Sequence, residues 1–241
     1  MKVQVYKNEK EIGKAAAKLF AAKIIVKPDC VLGFATGSTP LPTYETLIEL
    51  NKQGVIDFSS VRTFNLDEYV GISRSHKQSY YRFMFDNLFS KVNINKDNVQ
   101  VPNPVSDDLE KDCADYDKAI EEVGGIDLQL LGIGSNGHIA FNEPGSTFKF
   151  GTNIVTLTEN TINDNKRFFN SIDEVPKTAM SMGIGSIMMA KEIVMVVTGK
   201  NKAKAVKAMM EGDIDPMCPA SVLKLHRSVT VLLDEEAASL L

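Results

Sequence analysis

The run Lys2-Val3-Gln4-Val5-Tyr6, then Glu9 to Ile25 with apolar residues at helical spacing, then Cys30-Val31-Leu32-Gly33-Phe34-Ala35, decides the fold. An extended segment, an amphipathic helix and a second extended segment in that order make a βαβ unit. Continuous apolar runs recur at Val61 to Leu66, Asp127 to Ile133, Ile193 to Thr198 and Val229 to Leu233. Runs without alternation are what parallel strands covered on both faces require. Between them, helical spacing predicts helices over Pro42 to Gln53, Gln78 to Lys91, Asp107 to Val123 and Lys200 to Glu211, with a terminal one over Glu235 to Leu241. Turn residues such as Gly54, Gly124-Gly125 and Gly212 close most of them. The fold class expected is α/β, a three-layer Rossmann-like open sheet, mainly parallel, with helices on both faces.

The chain of 241 residues, 44% hydrophobic and 24% charged, reads as one domain over 1–241 with enough apolar content for a sizeable core. No repeat, low-complexity tract or linker divides it. The segment Gly145 to Lys177 shows the weakest pattern and is expected to be a mobile lid, at about 145–177, that closes over a ligand. A net charge of −4 offers no broad attraction to nucleic acid or anionic lipid, so an anionic ligand has to be held by local groups. Cys30, Cys113 and Cys218 are odd in number and lack CxxC spacing, which suggests neither a disulfide framework nor a zinc site and fits a reducing cytoplasm. The amino terminus does not look like a signal peptide, and no run of about 18 apolar residues occurs.

Open parallel sheets bind ligands beyond the carboxyl ends of their strands, and four polar clusters fall at such places. After Val31 to Ala35 comes Thr36-Gly37-Ser38-Thr39-Pro40, a candidate phosphate seat in which Gly37 admits close backbone approach and the hydroxyls donate. It is not a P-loop, and its plain alternative is helix capping by Ser38 or Thr39. The Val61 to Leu66 run ends in Asp67-Glu68-Tyr69. Neighbouring side chains alternate in extended backbone, so only one carboxylate faces a site, and Asp67 is the choice; a solvated turn or a helix cap is the alternative.

The third cluster is Gly134-Ser135-Asn136-Gly137-His138, continuing to Phe141-Asn142-Glu143-Pro144-Gly145. Gly132, Gly134 and Gly137 spell GxGxxG, but that fingerprint needs a long helix opening at its third glycine, and Pro144-Gly145 follow too soon. Glu143 near His138 makes a candidate proton-shuttling pair, against the alternative of a core histidine. A metal site is not expected, with only His76, His138 and His226 in the chain and no HExxH. The fourth cluster is cationic: Arg167 inside the irregular segment, and Lys200 and Lys202 after the Ile193 to Thr198 strand. Such cations either meet phosphate, at about 1.5–3 kcal/mol per charge-assisted hydrogen bond, or are simply solvated.

Thr36-Gly37-Ser38-Thr39-Pro40, Thr63-Phe64-Asn65-Leu66-Asp67-Glu68-Tyr69, Ser79-Tyr80-Tyr81 and Gly137-His138-Ile139-Ala140-Phe141-Asn142-Glu143-Pro144 closely resemble the glucosamine-6-phosphate deaminase family. The resemblance runs nearly end to end, through Arg167-Phe168-Phe169, Val175-Pro176-Lys177 and Leu223-Lys224-Leu225-His226. It implies conversion of glucosamine 6-phosphate and water to fructose 6-phosphate and ammonia in the cytoplasm, with no cofactor or metal. By match of motif, His138 opens the sugar ring, Glu143 orients it, and Asp67 moves a proton from C2 to C1. Thr36, Gly37, Ser38, Thr39, Arg167 and Lys202 hold the phosphate. Asp67 with an ordinary carboxylate pKa is a weak base, so close positioning has to carry its role. Asn136 stands where other members carry aspartate, and is expected only to orient.

The partner implied is a small-molecule sugar phosphate, with no nucleic acid and no membrane; homo-oligomers are allowed. Because the longer members are the hexameric, allosterically activated ones, weak or no activation by N-acetylglucosamine 6-phosphate is expected. Two rival readings are a 6-phosphogluconolactonase-like hydrolase, similar in fold and in its glycine-histidine loop, and a non-catalytic sugar-phosphate sensor. The Phe141-Asn142-Glu143-Pro144 run speaks against the first. The lack of a basic helix-turn-helix in Met1 to Lys27 speaks against the second.

Overall fold

The structure, a computed structural model, describes residues 1–145 and 147–241; Ser146, within the expected lid, lies outside the described residues. Ten strands are described: β1 (Lys2–Tyr6), β2 (Val31–Phe34), β3 (Arg62–Asn65), β4 (Asp67–Tyr69), β5 (Val99–Gln100), β6 (Leu128–Leu131), β7 (Asn153–Thr156), β8 (Thr178–Ser181), β9 (Ile193–Val197) and β10 (Val229–Asp234). The α-helices are α1 (Glu9–Val26), α2 (Leu41–Lys52), α3 (Tyr80–Asn87), α4 (Leu109–Glu122), α5 (Glu159–Asn165), α6 (Ile184–Met188) and α7 (Ala203–Glu211).

Seven strands form a parallel sheet in the order β1-β10-β9-β6-β2-β3-β5. Its strands β2 and β9 carry no polar side chain because both faces are covered. On β9, Ile193, Met195 and Val197 pack with residues of α4, α6 and α7, while Val194 and Val196 pack with α1, α2 and α3. The expected three-layer α/β architecture is therefore the one observed. At the amino ends of the strands, the buried Asp127 carboxylate binds Lys27 and Lys191, both at 2.7 Å, and the Val31 N–H at 2.8 Å. This ties β2 to the start of β6, at the end of the sheet away from the ligand loops.

From β2 the chain winds outward through β3 to β5, then returns to lay β6 on the other side of β2. The loops after β2 and β6 thus part in opposite directions, which opens a crevice at the carboxyl end of the sheet.

A second, antiparallel sheet of order β4-β8-β7 was not foreseen. The chain passes from one sheet to the other at Leu66, whose N–H donates to Phe34 O (3.2 Å) in the main sheet and whose carbonyl accepts from Met182 N–H (2.8 Å) after β8. The next residue is Asp67. The segment expected to be irregular contains β7 and α5, and it turns structured because its strand pairs with the distant β8. The terminal helix over Glu235 to Leu241 is not formed. The Asp234 carboxylate takes the Ala237 N–H at 2.7 Å, and Ser239 and Leu241 donate to carbonyls three residues back, so the stretch runs as turns. Lys200–Lys202 is a 3₁₀ turn ahead of α7.

Candidate active site

A cleft of about 520 Å³ occupies the crevice at the carboxyl end of the main sheet. Thr36, Gly37, Ser38 and Thr39 line it from the loop after β2, Asp67 from the sheet switch, and His138 from the loop after β6. Lys202, after β9, and Arg167, after α5, also line it. Asn136 and Glu143 stand behind His138 and do not line the cleft. Lys200 does not line it either. Residues separated by up to 166 positions in sequence are thereby gathered, all but Arg167 because they follow a strand of the main sheet.

Neither hydroxyl in the β2 loop is spent on capping. The residue before α2 is Pro40, and the helix start makes no side-chain capping bond, so Ser38 and Thr39 do not play the alternative role that composition allows. Gly37 has φ of +104°, a conformation that a Cβ would strain.

Asp67 is 7% exposed, and its carboxylate makes no hydrogen bond among the described residues. Burial pushes its carboxyl up to about 8, and the neighbouring Glu68 adds to the push. The expectation of an ordinary carboxylate pKa is corrected: burial, with Glu68 beside it, makes Asp67 a stronger base than a solvated aspartate. Glu68 points away from the cleft and takes the backbone N–H groups of Tyr69 (2.9 Å), Tyr80 (2.9 Å) and Tyr81 (3.0 Å).

The His138 ring sits against Gly134; a Cβ at that position would lie 2.3 Å from ring Cε1. Its Nδ1 is 3.4 Å from Glu143 Oε2 and makes no good hydrogen bond, so the attraction is Coulombic. Burial alone would push the Glu143 carboxyl up. His138 beside it, with donors from Thr161 and from Asn136 (2.8 Å), instead holds it down to about 2. Asn136 also accepts the His138 backbone N–H at 3.2 Å. It therefore orients the carboxylate and the loop, whereas the sequence suggested orientation of the ring. After His138, Ala140 adopts φ of +51°, a position of backbone strain on the cleft wall. No helix opens at Gly137, in keeping with the rejection of the dinucleotide fingerprint.

Thr161 also lines the cleft, and nothing in the sequence marks it, because only the fold carries α5 back to Glu143. Tyr69, Tyr80, Phe141 and Phe169 form an aromatic wall, with the Tyr80 hydroxyl donating to that of Tyr69 at 3.1 Å. Arg167 already reaches the cleft, so its presence there needs no travel of the segment that carries it. Among the described residues no group of three or more His, Cys, Asp or Glu is placed to hold a metal ion, and no helix is long and apolar enough to cross a membrane.

A doubly wound sheet with a buried carboxylic base, an imidazole–carboxylate pair and a hydroxyl-rich glycine loop around one cleft defines an α/β protein of the acid–base class. The chain belongs to the family of glucosamine-6-phosphate isomerases and 6-phosphogluconolactonases, whose model matches residues 7–232. It is 55% identical to the glucosamine-6-phosphate deaminase of Thermoanaerobacter sp. (strain X514), over all of this chain and 95% of that protein. It is 51% identical to that of Clostridium perfringens (strain SM101 / Type A), over the full length of both. Among solved structures it is similar to one described as a monomeric glucosamine-6-phosphate deaminase, with a TM-score of 0.98 and 46% identity over all of both chains. Similarity to the 6-phosphogluconolactonase of Trypanosoma brucei, with a TM-score of 0.78 and 20% identity over 99% of this chain and 97% of that one, is a likeness of fold.

Proposed function

We infer that this protein converts glucosamine 6-phosphate and water to fructose 6-phosphate and ammonia. The observation that carries the mechanism is the sharing of one cleft by Asp67, His138 and the Thr36–Thr39 loop. In this reading the phosphate lies against that loop, Arg167 and Lys202, which leaves the C1 and C2 end of the sugar toward Asp67 and His138. The imidazole passes the proton of the C1 hydroxyl to the ring oxygen, which opens the pyranose to an aldehyde. Glu143, fixed by Asn136 and Thr161, supports the positive charge that the imidazole carries during transfer.

The C1 carbonyl acidifies the C2 hydrogen. Asp67, once ionised, takes that proton and returns it to C1, so the enolamine becomes a C2 imine. Water adds at C2 and ammonia leaves, yielding the ketose. Asp67 has to be ionised to begin, and its raised pKa makes that depend on the substrate: a C2 ammonium beside the carboxylate favours the charged form. The stronger base is thus generated where the carbon acid lies.

The 145–177 segment serves in this reading as a lid. Support comes from α5, which places Thr161 on Glu143, and from Arg167 at its end, so that ordering of the segment and completion of the site are linked.

Incubation with glucosamine 6-phosphate in deuterated water tests the assignment. Ammonia is expected, together with deuterium at C1 of fructose 6-phosphate to the extent that the proton held by Asp67 exchanges with solvent before its return. Opening of 6-phosphogluconolactone with no ammonia from the amino sugar would overturn the reading.

A further inference from the structure

Glu68 is 2% exposed and does not line the cleft, and the proton transfer described above leaves it without a task. Three backbone N–H groups converge on its two oxygens: Tyr69 and Tyr80 on Oε1, Tyr81 on Oε2. Tyr80 and Tyr81 are the first two residues of α3, whose cap is Ser79, accepting from the Arg82 N–H. Burial is the largest influence on the Glu68 carboxyl and pushes it up, while the three N–H donors and Arg74 work against burial and support the ionised form near neutral pH. Next in sequence stands Asp67, buried, without a hydrogen bond among the described residues, and on the opposite face of the three-residue strand β4.

We propose that Glu68 is a positioning residue for the proton transfer at Asp67: its carboxylate ties the strand bearing Asp67 to the first turn of α3 and sets a fixed negative charge behind it. The inference rests on the proposed function for its catalytic meaning, though the coupling of the two carboxyls is a property of the free protein. The tie acts on the cleft at two points. It holds the base through β4, and through Tyr80 it holds the phenol that donates to Tyr69 on the cleft wall. The charge acts on basicity, because a neighbouring anion makes a carboxylate hold its proton more tightly.

Other groups facing the pair bear on its titration. Tyr69 shares the strand, Tyr80 comes from α3, Tyr116 from α4, and Arg74 from the loop between β4 and α3. The phenols have pKa values pushed up by burial and stay neutral, and Arg74 offsets part of the charge on Glu68. Across the cleft stand His138, Arg167 and Lys202, and Lys77 and Asp86 also line it. None of these is altered by substitution at Glu68.

The test is Glu68→Gln, which keeps the size and one acceptor oxygen while removing the charge. The protonated Asp67 carboxyl is followed by its infrared C=O band, identified by its loss in Asp67→Asn, in the free protein and without turnover. The midpoint of that band is expected to fall by about one pH unit in Glu68→Gln, and the acid limb of kcat/KM to fall with it. A purely structural role moves Tm and leaves both midpoints in place, and that result overturns the inference. If wild-type protein releases no ammonia, the proposed function fails, while the infrared midpoint still decides the coupling. If Glu68→Gln does not fold, the wild-type protein reads the same coupling: the C=O band of protonated Asp67 has to shift in frequency as acid neutralises the Glu68 carboxylate beside it, and a band that keeps its frequency overturns the inference.

Discussion

Thr161 donates its hydroxyl to Oε1 of Glu143, while Oε2 of that carboxylate faces His138 at 3.4 Å. The first turn of α5 is thus wired to the acid–base pair, and the two oxygens of Glu143 hold different partners. Thr161→Val keeps the backbone bond from residue 161 N–H to Thr158 Oγ1 that caps the helix and removes the hydroxyl that donates to Glu143 and accepts from Thr158 Oγ1 at 3.3 Å. Loss of a donor to the charged form lets the Glu143 carboxyl rise. A fall in kcat of about tenfold is expected, in line with one charge-assisted hydrogen bond, with little change in KM. Rates of ammonia release across pH 5 to 8 check this, and an unchanged kcat separates Thr161 from the catalytic set.

The pH dependence of activity follows from Asp67. With its carboxyl pushed up to about 8, the base form is a minority in the free cleft at neutral pH. The limb of kcat/KM, which reports the free enzyme, is therefore expected to rise toward pH 8. The limb of kcat, which reports the complex, should lie lower because the substrate ammonium favours the ionised carboxylate. Asp67→Asn should cost about 10²- to 10⁴-fold in kcat.

The same shift makes a stability statement of opposite sign. In the folded chain Asp67 holds its proton up to about 8, against an ordinary aspartate value of 3.8. The unfolded state thus binds fewer protons between those values, and this group's contribution, fully present below about 4, is lost as pH rises through 8. Asp67→Asn is neutral throughout and escapes the loss. Its Tm should exceed that of the wild type by about 5 °C or more near pH 7, with a gap that shrinks toward pH 4. Equal Tm values across that range would show the carboxyl to be better solvated than its burial indicates.

Much of this site is visible in the sequence because its parts are local. The β2 and β9 runs are apolar on both faces and β6 is broken only by the buried Gln129, and the residues that follow each of them fall beyond the carboxyl edge of a parallel sheet by construction. What escapes is what depends on distant pairing. β4 and β8 are short and meet across more than a hundred residues, so no window of sequence shows them as one sheet. Thr161 looks like any helix-start threonine until β7 pairs with β8 and brings α5 against Glu143. The basicity of Asp67 is likewise illegible, since it comes first from burial that only the folded chain imposes. The Glu235 to Leu241 pattern misled because Asp234 offers its side chain to the Ala237 and Gly199 N–H groups.

Gly134 supports His138 by having no side chain. A Cβ there would lie 2.3 Å from ring Cε1 and 2.4 Å from Nδ1, and the ring has to swing away to relieve it. Gly134→Ala is therefore expected to lose about 10²-fold in kcat, as misplacement of a reacting group by about 1 Å does, while costing about 1–3 kcal/mol in stability. A variant that folds and binds an unreactive substrate analogue with wild-type Kd but turns over slowly fits a displaced imidazole. A wild-type kcat would mean that the ring finds another productive position.

The lid proposal is tested by amide exchange. β7 pairs with β8 on one side only, standing at the edge of the three-stranded sheet, and α5 is short. Segments with few cross-strand bonds open at low free-energy cost, so exchange over 153–165 should be fast in the free protein. Phosphate held by Arg167 and a charged imidazole held by Glu143 and Thr161 both depend on this segment, so binding of a substrate analogue should slow its exchange. The main sheet is already closed from β1 to β5 and should change little. Protection that is the same with and without the analogue, together with normal turnover, would mean that the segment is a fixed wall of the cleft. Thr161 would then act by position alone.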